Sequence, residues 1–160
     1  MKVYLMRHGE AEEIYDGDEP ALTAKGKADV NRVGEALSSM DIQLDHIYQS
    51  GKLRARQTAE IVKSKLGGDI LISIKEGLKP NDPVSAIVGN LKDNNKNILI
   101  IGHLPFMAKL TSTLLAETES EKSDLKIAFR TASVACLEYA KSFGWKLNRF
   151  IDPENIVLDK

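Results

Sequence analysis

The residues best suited to chemistry lie near the start of this chain, at Arg7, His8 and Gly9. The guanidinium of arginine is a permanent positive charge whose planar fork fits phosphate oxygens, and a histidine nitrogen can act as a nucleophile. The three residues follow an apolar run at 3–6 that is typical of a buried strand. The pattern predicts a phosphate-handling site where that strand ends. The alternative is that Arg7 pairs with a carboxylate and that His8 is an ordinary histidine.

Two later junctions carry residues of the same chemical type. Residues 98–101 form the most apolar run of the chain, which predicts a central strand buried on both faces, and His103 follows it after one glycine. A further strand is predicted over 44–50, and Arg54 lies where the next helix begins.

The ends of these strands are expected to meet, because active sites of open α/β sheets gather where the strands end. Two arginines and two histidines around one point form a pocket for a compact dianion. No carboxylate or cysteine is obviously placed to complete a metal site, although a site with two histidines stays open. The expected site consists of Arg7, His8, Arg54 and His103.

Apolar side chains spaced by three and four residues predict the helices that carry these groups. Thr23 is expected to cap the first helix, and the second is expected to end at Gly67. Asp82 is expected to cap the third helix. Pro105 fits the first turn of the fourth helix.

The C-terminal part of the chain has a different periodicity. Apolar and polar residues alternate over 125–129, and a hairpin is predicted from strands at 133–139 and 145–151. A strand is also predicted at 70–74. Strands that alternate with helices and end in a β-rich segment predict one domain over 1–160, an α/β three-layer αβα sandwich whose central sheet is mostly parallel with an antiparallel edge.

Composition narrows the classes of partner. There are 22 lysines and arginines against 23 aspartates and glutamates, so the chain lacks the basic field typical of nucleic-acid binding. Cys136 is the only cysteine, which excludes an internal disulfide and a zinc site built on several thiolates. No segment approaches a transmembrane run, and no targeting region precedes the first strand. We therefore predict a cytoplasmic protein that binds neither nucleic acid nor membrane.

Four motifs occur in an order that resembles the histidine phosphatase superfamily, the phosphoglycerate-mutase-like group. They cover the chain from residue 3 to about residue 110. The motifs are Arg7-His8-Gly9, Leu22-Thr23-x-x-Gly26, Ser50-x-x-Leu53-Arg54-Ala55-x-Gln57-Thr58 and Gly102-His103. The short length, His103-Leu104-Pro105, the Thr131-Ala132-Ser133 region and the tryptophan-led final strand resemble the SixA-type phosphohistidine phosphatases.

The resemblance implies a mechanism. His8 would attack phosphorus in line and form a transient phosphohistidine that water hydrolyses. Arg7, Arg54 and a His103 protonated against the dianion would stabilise the charge on the transferring oxygens. It implies no metal and no other cofactor.

The sequence departs from the superfamily in two places. Gly51 stands where a proline often follows the serine, and the general acid of the ester-cleaving members is not clearly present. Glu76 is the nearest candidate for that acid, although it is at least as well explained as a solvated carboxylate at the start of a loop, and Glu10, beside the nucleophile, is a similarly weak candidate. A phosphohistidine needs less help from an acid than a phosphate ester, because its P–N bond is labile when the imidazole is protonated.

Three functions remain. The first is a phosphohistidine phosphatase that acts on a protein, for example a histidine-phosphotransfer domain, which suits the open site expected from short loops. The second is a phosphomonoesterase for small phosphate esters or phosphoserine. The third, a phosphate-binding regulatory module without turnover, is disfavoured by the intact set of four residues. No particular oligomeric state follows from the sequence.

Overall fold

A computed structural model describes residues 1–14, 19–117 and 127–156. Strands and helices alternate through most of these ranges. They are β1 (Lys2–Arg7), α1 (Ala24–Ser39), β2 (His46–Gln49), α2 (Leu53–Leu66), β3 (Leu71–Ile74), α3 (Ser85–Leu91), β4 (Ile98–Gly102), α4 (Phe106–Ala116), β5 (Val134–Ala140), β6 (Gly144–Ile151) and a 3-10 turn at Pro153–Asn155.

The described strands form one six-stranded sheet in the order β3-β2-β4-β1-β5-β6. Strands β1 to β4 pair in parallel with one another, whereas β5 is antiparallel to β1 and forms a hairpin with β6. The predicted parallel sheet with an antiparallel edge and the predicted C-terminal hairpin are confirmed.

Helices cover both faces of the sheet. Side chains of α1 and α2 pack on one face around Tyr4, Met6 and Ile101. Side chains of α3 and α4 pack on the other face with Leu5 and Ile100. The interior residues of β1 are all buried, on alternate faces, because successive side chains of a strand point to opposite faces. The three-layer αβα sandwich is confirmed.

The strand order decides where the site lies. All five residues of Ile98–Gly102 are buried, as expected for a central parallel strand between two helical layers. This strand lies between β2 and β1, and its last residue, Gly102, is in register with Arg7. His103 therefore leaves the sheet directly beside His8.

The helix ends follow the predictions in part. The Thr23 side chain accepts a hydrogen bond from the Gly26 N–H at 2.9 Å and caps α1, and Gly67 ends α2 at a φ of 71°. The predicted cap of α3 is wrong. The Asp82 carboxylate accepts from the Lys79 N–H at 2.9 Å and stabilises the preceding turn instead, and the helix begins at Ser85.

The alternation over 125–129 does not produce a strand where the structure describes it. Residues 125 and 126 lie outside the described ranges, and residues 127–130 have no regular secondary structure. Phe129 is nevertheless buried, because its ring packs edge-on against Phe150 at 5.5 Å. The apolar side chains of this segment therefore reflect core packing from a loop.

None of the helices within the described ranges is long and apolar enough to cross a lipid bilayer.

Candidate active site

His8 follows β1 and is only 8% exposed. Its Nδ1 lies 2.7 Å from the carbonyl oxygen of Gly9. Because a carbonyl can only accept, Nδ1 carries the hydrogen and Nε2 keeps its lone pair. The Nε–H of Arg54 donates to that Nε2 at 3.3 Å. The unprotonated nitrogen of His8 therefore faces a permanent cation.

His103 follows β4 and is 1% exposed, with its ring 4.9 Å from that of His8. Its Nε2 lies 2.6 Å from the Ser50 hydroxyl. Its Nδ1 is buried and has no hydrogen-bond partner among the described residues.

Arg7 completes the group. One guanidinium nitrogen, Nη1, donates to the carbonyl oxygen of Phe129 at 3.0 Å. The buried Nε has no partner in the described part of the chain. A buried donor without a partner is costly unless a ligand satisfies it. The structure thus brings Arg7, His8, Arg54 and His103 together, and Arg7 and His103 each keep one buried nitrogen without a described partner.

Helix α2 holds the segment after His8 in place. Thr58 is fully buried, and its hydroxyl accepts from the Gly9 N–H at 3.1 Å while it donates to the Arg54 carbonyl at 2.7 Å. Gln57 accepts from the Leu22 N–H at 2.8 Å. The second arginine motif therefore fixes the backbone on both sides of the loop that follows the nucleophile candidate.

Helix α1 contacts the same segment through a glycine. A Cβ at Gly26 would overlap the backbone of Glu10, whose carbonyl oxygen accepts from the Thr23 N–H at 3.0 Å. Only glycine allows this close approach of the helix to the chain two residues after His8.

A tight turn before β5 also holds the backbone of Arg7 and His8. Ala132 has a φ of 66°, and its N–H donates to the carbonyl oxygens of both Arg7 and His8. The Arg7 N–H donates to the Ser133 carbonyl at 3.1 Å, so two residues of this segment oppose one of β1. Such β-bulges are common beside active sites because they re-aim side chains.

Burial sets the charge state of both histidines in the ligand-free site. Burial lowers the pKa of His8 to about 4, against its backbone hydrogen bond and with help from Arg54 and Arg7. Burial lowers the pKa of His103 to about 3, and the nearby His8, Arg54, Lys52 and Arg7 contribute. Both imidazoles are therefore neutral near pH 7 without a ligand. Protonation of His103 against a bound dianion stays a prediction.

The two candidate acids lie in different surroundings. Glu76 is exposed in the loop after β3 and forms no hydrogen bond or ion pair with any described residue. Glu10 has a half-exposed carboxylate 3.8 Å from the Lys25 ammonium group. Within the described ranges, no carboxylate forms a hydrogen bond or an ion pair with any of the four site residues.

The described residues contain no group of three or more histidine, cysteine, aspartate or glutamate side chains that could hold a metal ion. Cys136 is buried in β5, and burial raises the pKa of its thiol to about 12. It is therefore a core residue.

Sequence reasoning missed the roles of Ser50 and Thr58, although both belong to the motif around Arg54. Their partners, His103 and Gly9, are 53 and 49 residues away in the chain. Uncharged polar residues within a motif, such as Ser50 and Thr58, are the signal that could have indicated these supporting hydrogen bonds.

A comparison with protein families agrees with this geometry. The family model described as the histidine phosphatase superfamily (branch 1) matches residues 3–85, which is more than half of the chain. The chain belongs to this superfamily. The match contains the Arg7-His8-Gly9 motif and the motif around Arg54.

Individual relatives refine the comparison. A phosphohistidine phosphatase SixA homolog of Haemophilus influenzae is 29% identical over 149 residues, with 86% of this chain and 87% of that protein covered. A 2,3-bisphosphoglycerate-dependent phosphoglycerate mutase of Parvibaculum lavamentivorans is 33% identical over 99 residues. That match covers 58% of this chain and only 45% of the mutase.

The fold is also similar to a solved structure of the protein histidine phosphatase SixA complexed with tungstate. The TM-score is 0.84 at 25% identity, with 97% of this chain and 99% of that chain covered. The predicted membership in the superfamily and the likeness to its SixA-type members are confirmed.

Proposed function

We propose that this chain removes phosphate through a covalent phosphohistidine on His8 and that its substrate is phosphohistidine in another protein. The observation that carries the proposal is the hydrogen bond from His8 Nδ1 to the Gly9 carbonyl at 2.7 Å. This bond leaves Nε2 unprotonated and directed at Arg54. The low pKa of His8 keeps that nitrogen unprotonated near pH 7.

In the first step, His8 Nε2 attacks phosphorus and the bond from phosphorus to the leaving group breaks. Arg54, Arg7 and the His103 Nδ1–H would hold the equatorial oxygens, where donors fixed in advance are most effective. In the second step, water attacks phosphorus and the P–Nε2 bond breaks. Inorganic phosphate takes the proton of that water, and His8 returns neutral.

The leaving group favours phosphohistidine over an ester. No described carboxylate forms a hydrogen bond or an ion pair with the four site residues. Glu19 acts on Arg54 from beyond ion-pair distance, and its carboxylate accepts from the Leu53 N–H at 2.8 Å. No described carboxylate is therefore bonded where it could protonate a leaving alkoxide. A phosphorylated imidazole takes a proton from water before it leaves and needs no such group. The similarity to a phosphohistidine phosphatase SixA homolog and to the protein histidine phosphatase SixA supports the same choice. The tungstate in the SixA structure supports a site for a phosphate-like oxyanion, because tungstate is tetrahedral. A histidine-phosphotransfer domain is the kind of protein that carries such a group.

The test is the release of inorganic phosphate in the presence of a chelator. Phosphohistidine in a protein or peptide is compared with phosphoserine and small phosphate esters, each with the wild-type chain and with His8→Ala. We expect the highest kcat/KM for phosphohistidine and its loss in the variant. Quench of the wild-type reaction with alkali, which preserves the acid-labile P–N bond, should trap phosphate on His8.

Two outcomes would contradict the proposal. Unchanged turnover by His8→Ala would exclude the covalent mechanism. Binding of phosphate without turnover of any substrate would favour the phosphate-binding regulatory module.

A phosphomonoesterase is the second candidate, and the loop after β3 favours it. The Lys75 N–H donates to the Gln49 carbonyl at 2.9 Å, and the Leu78 carbonyl oxygen would lie 3.6 Å from a Cβ at Gly102. This loop therefore passes over the ends of β2 and β4 and carries Glu76 past the site. If esters are the better substrates, Glu76→Gln should lower their kcat at least tenfold. The exposed Glu60→Gln on α2 is the control.

A further inference from the structure

We infer that Ser50 is a positioning residue that holds neutral His103 in its Nδ1–H tautomer, so that this hydrogen is donated to the substrate phosphoryl group. The inference rests on the proposed function, because it assigns His103 a donor role at that site. Its evidence is a hydrogen-bond arrangement present without any ligand.

The Ser50 hydroxyl is the only described neighbour that bonds the His103 ring, at 2.6 Å from Nε2. Ser50 is 8% exposed and His103 is 1% exposed, so water does not readily replace either partner of this hydrogen bond. The hydroxyl also accepts from the Lys52 N–H, at 3.4 Å. A hydroxyl has a single hydrogen, and with one acceptor site occupied by that N–H it can donate the hydrogen to Nε2.

The tautomer follows from this direction. A neutral imidazole carries one hydrogen, and if Nε2 accepts from Ser50 the hydrogen resides on Nδ1. Neutral histidine in water prefers the opposite tautomer, so a local partner must impose this one. Nδ1 is buried without a partner in the described chain and lies in the ring next to His8. A buried N–H without a partner, in a ring beside the nucleophile candidate, is a donor that a phosphoryl oxygen can satisfy.

The opposite tautomer, with the hydrogen on Nε2, could not donate a hydrogen bond to the phosphoryl group. If Nε2–H donated to Ser50, Nδ1 would present a lone pair to the phosphoryl oxygens and repel them. Burial above all, and then the neighbouring His8 and Arg54, lower the pKa of His103 and disfavour a second proton on the ring before the substrate binds. Ser50 thus lets a neutral imidazole present a hydrogen instead of a lone pair.

The direct test is NMR of the full chain with ¹⁵N-labelled histidine at pH 7.5. The chain has three histidines, so His46→Asn and His103→Gln assign the signals. We expect a protonated Nδ1 and an unprotonated Nε2 for His103 in the wild type. Ser50→Ala should shift the ring toward the Nε2–H form, and Ser50→Thr, which keeps the hydroxyl, should restore the wild-type pattern.

Binding of inorganic phosphate and of tungstate is measured in parallel by calorimetry. Ser50→Ala should weaken both roughly five- to tenfold, the cost of one misdirected hydrogen bond. Ser64→Ala is the matched control, because that hydroxyl also makes one short hydrogen bond, to Ile61 at 2.6 Å, on the exposed side of α2. The control should leave the affinity and the His103 signals unchanged.

An Nε2–H tautomer in the wild-type chain would overturn the inference whatever the enzyme does, and so would unchanged anion affinity in Ser50→Ala. If Ser50→Ala does not fold, the wild-type spectrum alone decides. Failure of the proposed function would instead appear as absent turnover by the wild type, which this spectrum does not measure.

Discussion

The junction after β1 and the junction after β4 both place a histidine beside a glycine at the same edge of the sheet, yet they hold it differently. At His8, both ring nitrogens have partners, Gly9 on one side and Arg54 on the other. At His103, only Nε2 has a partner, Ser50, and Nδ1 has none among the described residues.

The backbone after His8 is also held in place by contacts from two helices. The segment after His8 is fixed by Thr58 from α2 and by the close packing of Gly26 from α1. A nucleophile must keep its lone pair on the line of attack, which requires such a fixed ring. A residue that donates to an oxygen of the substrate needs a free hydrogen instead. We interpret the two junctions as built for these two roles.

The strongest test of this difference is to remove each imidazole ring in turn. His8→Ala should lower kcat by roughly 10⁴-fold or more, since no other group replaces the nucleophile. His103→Ala should lower it by about 10² to 10³-fold, the usual cost of one preorganised donor. Steady-state phosphate release and trapping of the phosphohistidine by alkaline quench measure both. Equal losses, or trapped phosphate in His8→Ala, would show that the roles are not divided as we propose.

Acid should destabilise both junctions. The pKa values of His8 and His103 are about 4 and about 3 in the folded chain and near the usual 6.5 when unfolded. Below pH 6.5 the unfolded chain therefore binds more protons, and stability is lost as pH falls toward the folded values. We expect the free energy of unfolding to drop by roughly 2 to 4 kcal/mol between pH 6.5 and pH 5.

Urea titrations at a series of pH values measure this loss. A chain with His8→Asn and His103→Asn should show a much smaller dependence, whereas the half-exposed His46→Asn should keep most of it. An unchanged slope in the double variant would assign the acid sensitivity to other groups.

The close packing of α1 on the segment after His8 can be tested with two glycines. Gly26→Ala should destabilise the fold by about 2 to 3 kcal/mol, because the Glu10 backbone must shift to admit the methyl group. Gly89→Ala in α3 meets no atom within 4 Å and should stabilise by about 0.5 to 1 kcal/mol. In urea titrations, we expect the free energy of unfolding to fall in Gly26→Ala and to rise in Gly89→Ala. Only Gly26→Ala should also lower kcat. Equal shifts would contradict the role of Gly26.

The smallest expected effect concerns the hydrogen bond from Gly9 to α2. Thr58→Val keeps the shape of a fully buried side chain but leaves the Gly9 N–H without an acceptor, at a cost of about 1 to 3 kcal/mol. Thr111→Val is the matched control, since that buried hydroxyl only donates back to Met107 in its own helix. Thr58→Val should also lower kcat. Comparable stability and kcat in the two variants would refute a special role for Thr58.

The sequence alone determined the local features of this protein. The apolar runs before Arg7 and Gly102, the Thr23 cap and the Gly67 end of α2 all depend on near neighbours, so their residue types predict them. The order of the four motifs also predicted the superfamily and the set of residues that converge.

Only the tertiary structure decided how those residues are held. The contact of Ser50 with His103 and that of Thr58 with Gly9 depend on β4 lying between β2 and β1. The alternation over 125–129 and the predicted cap at Asp82 are both local patterns. Where the chain is described, residues 127–129 form a loop packed on the core, and Asp82 stabilises the preceding turn. The low pKa values of the two histidines follow from burial among arginines, a property of the assembled site that residue types alone do not show.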